Sequence, residues 1–99
     1  MINDWNMSVK EKVQGKGKLL PSAEHEYVLI LHNDDVNTFD YVIDTLVEVC
    51  DHDPHQAEQC ALITHYKGKC DIKHGEFELL EGMMNELHRR GLSASIASN

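Results

Sequence analysis

A short apolar run, Tyr27-Val28-Leu29-Ile30-Leu31, stops at His32 and the polar triplet Asn33-Asp34-Asp35, and a helical pattern starts a few residues later. An unbroken run of this length, rich in β-branched and aliphatic residues, suits a buried strand. Asn and Asp favour turns because their short side chains hydrogen-bond nearby backbone. The chain is therefore committed to a buried strand that feeds a tight polar turn and then a helix. Three side-chain acceptors in a row beside an apolar wall also suit a ligand that is cationic at one end and apolar at the other.

The elements that follow can be read in order. Asn37 or Thr38 is the expected N-cap of the first helix, with Asp40 facing the positive end of its dipole. Phe39, Val42, Ile43, Leu46, Val47 and Cys50 fall at helical spacing, which predicts one buried face. Asp53-Pro54 starts a second helix, Asp as cap and Pro at the first helical position. Ala57, Cys60, Ala61, Thr64 and His65 share a face of it, and Gly68 ends it. Lys69 to Lys73 alternates as a short strand. Glu76 to Arg90 forms a third helix that buries Phe77, Leu80, Met84 and Leu87, with Gly91 as its C-cap. Leu92, Ala94 and Ile96 alternate in a last strand. The order is β-α-α-β-α-β, an α/β sandwich of the α+β kind with helices on one face of a three-stranded sheet.

At 99 residues the chain has room for one domain. Residues 1–24 read as a flexible tail, with Lys, Glu, Gln and Gly between residues 10 and 18, a Pro21-Ser22 break, and Trp5, Met7 and Val9 as scattered anchors; residues 25–97 read as the folded unit. The formal charge of −8 argues against nucleic acid and against an anionic membrane surface. No apolar stretch reaches membrane-span length and no secretory signal is visible. Cys50, Cys60 and Cys70 form no CxxC pair, which points to reduced thiols and a cytoplasmic location. His52 and His55 flank Pro54 and make a poor rigid metal pair. Cys60 and His65 lie five apart on one helix and point in different directions, so no nucleophile–base pair forms and no enzyme is expected.

The stretches VLILHNDDVNTFDYVIDTL and ALITHYKGKC together resemble the ClpS family, adaptors that deliver substrates to the Clp protease in the N-end rule pathway. The likeness spans roughly residues 27–96. It joins Asn33-Asp34-Asp35 and Phe39-Asp40-Tyr41-Val42 to His65-Tyr66-Lys67-Gly68-Lys69 in the family's order. The resemblance implies capture of free N-terminal residues with bulky hydrophobic side chains (N-degrons) and delivery to a ClpA- or ClpC-like AAA+ unfoldase, without a cofactor, a metal or catalysis. Carried over by position, Asn33, Asp34 and His65 would hold the α-amine, with Asp35 supporting the turn. Leu31, Phe39, Val42, Ala61, Leu62 and Thr64 would line the side-chain pocket. Imidazolium donates where the amine needs an acceptor, so binding is expected to weaken in acid.

Departures from the family pattern bear on specificity. Ala61 stands where many members carry Met, which predicts a wider pocket that admits β-branched Ile or Val or larger aromatics. Thr64 replaces an apolar residue, and Phe39 a usual Met at the pocket entrance. On the third helix Glu78 is present, but Met83 occupies the place of the Lys that members use with it to dock the unfoldase. The alternative is a non-catalytic interaction domain of the same fold with another ligand, such as the C-terminal domain of the L7/L12 stalk protein, which lacks the Asn-Asp-Asp and His constellation.

Overall fold

The computed structural model describes residues 26–99. The elements are β1 (Tyr27–His32), α1 (Phe39–Cys50), α2 (Pro54–Lys67), β2 (Lys69–Gly75), α3 (Phe77–Arg89) and β3 (Ser93–Ser98). This is the expected order. The sheet runs β2-β1-β3, and β1 pairs antiparallel with both neighbours. The unbroken apolar run is thus the central strand, flanked on both sides. The expected tail at residues 1–24 and its anchors lie outside the described residues.

Leu29 and Leu31 point to one face of β1 and meet Ile72 of β2, Ala94 of β3 and the helical Leu46, Cys50, Ala57, Cys60, Leu80 and Leu87 in one core. Burying an aliphatic side chain contributes roughly 1.5–3 kcal/mol, so this face dominates the stability. The register of β1 against β2 slips between Leu29 and Ile30, which leaves Ile72 as an extra residue in β2. Buried His52 reaches that bulge, its Nε2–H donating to Ile72 O at 2.7 Å. Lys73, opposite Leu29, donates from Nζ to Cys50 O at 3.1 Å and so closes the carboxyl end of α1.

Local chemistry sets the helix ends. Thr38 caps α1 by accepting from Tyr41 N at 3.1 Å, and Asp53 caps α2 by accepting from Gln56 N at 2.8 Å. Gly68 follows α2 in the left-handed conformation at φ 94°, where a side chain would be strained. The third helix ends one residue before the expected limit. Its cap is Arg90, and Gly91 follows at φ 90°.

Two expected burials, Phe39 and Phe77, are not found; Phe39 is 40% exposed at the first position of α1. Phe77 is 43% exposed: it opens the first turn of α3, in a T-shaped pair with the Tyr27 ring 5.4 Å away between centroids. His65, read on the same helix face as Ala57, Cys60, Ala61 and Thr64, is exposed where those four are buried. None of Cys50, Cys60 and Cys70 is in a disulfide. Burial raises all three thiols, Cys50 to about 11 and Cys70 to about 12, which keeps them protonated. Among the described residues no helix is long and apolar enough to cross a membrane.

Candidate functional site: a pocket between the strand end and the second helix

Backbone pairing brings the two distant motifs together. His32 pairs with Lys69 in the sheet, and Asn33 N donates to Gly68 O at 2.9 Å. Gly68 N in turn donates to Thr64 O at 2.9 Å. The last turn of α2, carrying Thr64 and His65, is therefore held against the end of β1. Between them and the start of α1 lies a pocket of about 530 Å³.

Its inner wall is apolar. Leu31, Ala61 and Leu92 are buried there, and Val42 and Leu62 are half-buried. Thr64 is buried as well, and its hydroxyl donates to Cys60 O at 2.8 Å inside its own helix. That wall is consequently less polar than its composition indicates, since the hydroxyl hydrogen is already committed. The rim is polar and open, with Asn33, Asp35 and His65 exposed and Asp34 half-buried. Phe39 and Tyr66, 40% and 77% exposed, complete it, and Tyr66 sets its ring edge-on to His65 at 4.9 Å.

The two carboxylates on the rim differ in their duties. Asp34 Oδ1 accepts from Val36 N and Asn37 N, both at 2.9 Å, and Oδ2 accepts from Asn37 Nδ2 at 3.0 Å. Burial pushes this carboxyl up, yet the hydrogen bonds from the Asn37 backbone, the Asn37 side chain and the Val36 backbone together hold it below the usual aspartate value. Asp35 makes no hydrogen bond among the described residues. The turn is therefore supported by Asp34, which corrects the expectation that Asp35 does so. The physical reason is position: Asp34 sits two and three residues before the amides it accepts, the spacing of an Asx turn.

Electrostatically the rim favours a cation. Its ionised carboxylates lie near the carboxyl end of α2, the negative pole of that helix. The rim offers carboxylate, amide oxygen and imidazole nitrogen as acceptors, and the wall behind it can take an apolar group.

All nine residues expected at the amine site and in the side-chain pocket line this one cavity. Five further residues line it beyond those the sequence points to: His32, Asp35, Asn37, Tyr66 and Leu92. In the sequence Asn37 reads as a helix cap, and its spacing to Asp34 is the signal of the further role. Leu92 reaches the pocket through sheet topology, which local pattern does not disclose. A separate groove of about 380 Å³ runs between α1 and α3, lined by Glu48, Val49, Leu79, Gly82, Met83, Glu86 and Arg90. Met83 lies in it; Glu78 does not, because five residues along a helix carry it to another face.

Known proteins show the same sequence pattern and the same fold. Residues 22–95 match the family described as ATP-dependent Clp protease adaptor protein ClpS. The chain belongs to the ClpS family. It is 32% identical to the ClpS adapter of Enterobacter sp. (strain 638) over 90 residues, covering 88% of this chain and 84% of that one. With the Streptomyces coelicolor ClpS adapter it shares 27% over 77 residues, 78% and 80% of the two chains. Agrobacterium tumefaciens ClpS2, solved bound to L-phenylalaninamide, superposes with a TM-score of 0.73 at 18% identity, covering 77% of this chain and 99% of that chain. That likeness establishes the ClpS fold for the three strands and three helices.

Proposed function

We propose that this chain binds polypeptides through a free N-terminus bearing a bulky hydrophobic first residue and presents them to a ClpA- or ClpC-like AAA+ unfoldase of the Clp protease. The observation that carries this reading is one cavity with an apolar wall of Leu31, Ala61, Leu62 and Val42 and an acceptor rim of Asn33, Asp34, Asp35 and His65. An α-ammonium supplies three donors and a positive charge to such a rim. The ligand of the Agrobacterium protein, L-phenylalaninamide, has that chemistry: an aromatic side chain beside an amine.

Each residue takes a role from its setting. Asn33 accepts through its amide oxygen and His65 through an unprotonated ring nitrogen. Asp34 acts on the amine directly or through water, with its carboxylate already oriented by the turn. Asp35, exposed on the rim, adds a second carboxylate whose oxygens no described residue engages. Phe39 borders the entrance, and the small side chain of Ala61 leaves room near the ligand's β-carbon. The groove that contains Met83 shares no lining residue with the pocket, so an unfoldase seated there leaves the pocket open.

Magnitudes point to weak capture and a second tether. One buried side chain contributes roughly 1.5–3 kcal/mol, each hydrogen bond to a charged group roughly 1.5–3 kcal/mol, and association costs at least about 4 kcal/mol. Attachment to the unfoldase then raises the effective concentration of the substrate. Fluorescence anisotropy with peptides that differ only at residue one tests the reading. Leu, Phe, Tyr and Trp should bind, while Gly and N-acetyl-Leu should not, because acetylation removes the charge and two donors. Binding of the acetylated peptide as tightly as the free one would sink it.

A further inference from the structure

We propose that Asn37 is a positioning residue for the α-ammonium site, holding Asp34 and with it the 33–37 turn in the shape that presents Asn33 and Asp35 to the pocket. This rests on the N-terminus-binding reading above. Asn37 grips the Asp34 carboxylate at both oxygens, with its backbone N–H on Oδ1 at 2.9 Å and its Nδ2 on Oδ2 at 3.0 Å. A carboxylate held at one oxygen can rotate; held at both by the same residue, its plane is set. The second Nδ2 hydrogen reaches across the pocket edge to Gly91 O at 2.8 Å, in the turn between α3 and β3. Both hydrogens of the amide are therefore used, on two acceptors that lie 57 residues apart in the chain, Asp34 and Gly91.

No other short side chain performs both tasks. Aspartate has no hydrogen to donate when ionised, and serine or threonine has one. Nor is Asn37 needed to start α1, because Thr38 is the cap and accepts from Tyr41 N at 3.1 Å. The Asn37 contacts thus serve the turn and the pocket edge rather than the helix. Leu92, buried in the pocket wall, directly follows Gly91, so the same amide ties the acceptor rim to the apolar wall.

The test uses the full chain with Asn37→Ala, Asn37→Asp and Asn37→Ser, and anisotropy with a labelled Leu-initiated peptide. Asn37→Ala and Asn37→Asp should weaken binding by roughly tenfold, the scale of one hydrogen bond to a charged group. Asn37→Ser, which retains one donor, should lose less. Combining Asn37→Ala with Asp34→Ala should cost less than the sum of the two single losses, since both act in part through one carboxylate. Carbon-13 NMR of the free protein should show the Asp34 carboxyl titrating higher in Asn37→Ala than in the unmodified chain while Glu86 stays depressed, a selective change that general loosening of the fold does not predict. Unmodified protein that binds while the Asn37 variants bind equally well overturns the proposal alone, as do losses that add in the double variant. Unmodified protein that binds no free N-terminus overturns the functional reading and the proposal together.

Discussion

Neighbouring residues of one type do different work on this rim. Asp34 and Asp35 are adjacent, yet the first is engaged by three hydrogen bonds and the second faces solvent. At Ala61, 4% exposed in the pocket wall, one methyl stands where a long side chain would project. Ala61→Met should weaken Ile- and Val-initiated peptides more than Leu-initiated ones, because β-branching places bulk where the thioether would lie. Anisotropy across those three peptides checks it, and equal losses would show that the site is insensitive to branching. Asp51 is the one described non-glycine residue at positive φ, 59°. A left-handed residue with a side chain is disfavoured by about 1–2 kcal/mol, an expense that Asp partly escapes. Asp51→Gly should therefore raise stability by up to about 1 kcal/mol, read as a higher midpoint in urea.

Among the elements, α3 depends most visibly on its end. Glu86 pairs with Arg89 and Arg90, and Arg90 reaches Glu48 of α1 at 2.5 Å. Tyr41 OH also donates to Arg90 O at 2.7 Å, so the start of α1 and the end of α3 are tied at two levels. Hydrogen bonds from Arg89 and Arg90 lower the Glu86 carboxyl from an ordinary 4.5 to about 2. A depressed carboxyl contributes stability above its unfolded value and loses it as the pH falls through the folded one. The contribution is complete above about pH 4.5 and fades toward pH 2. Glu86→Gln should then lower the thermal midpoint slightly at neutral pH, the network being at the surface. That gap should close in acid; a gap constant from neutral pH down to pH 2 would contradict the assignment.

For the whole molecule, net charge acts globally rather than at one site. Residues 26–99 contain fourteen acidic and five basic residues, a greater imbalance than the −8 of the full chain. Self-repulsion on that scale destabilises a compact state and is relieved by salt. Raising ionic strength from about 0.01 M to about 0.15 M shortens the screening length from about 30 Å to about 8 Å. The thermal midpoint of the unmodified chain should rise over that range. A fall would mean that ion pairs such as those of Glu86 outweigh the net repulsion.

The sequence by itself determined the β-α-α-β-α-β order, the caps Thr38 and Asp53, the stop at Gly68 and the polar turn after the first strand. These follow from local rules, periodicity, capping and turn chemistry, that act over a few residues. Only the tertiary structure decided that Phe77 and His65 lie open, because exposure depends on where neighbouring elements end. It also decided that Leu92 enters the pocket and that Asn37 meets Gly91. Those contacts join residues more than fifty positions apart, and their partners are chosen by how the sheet and helices pack.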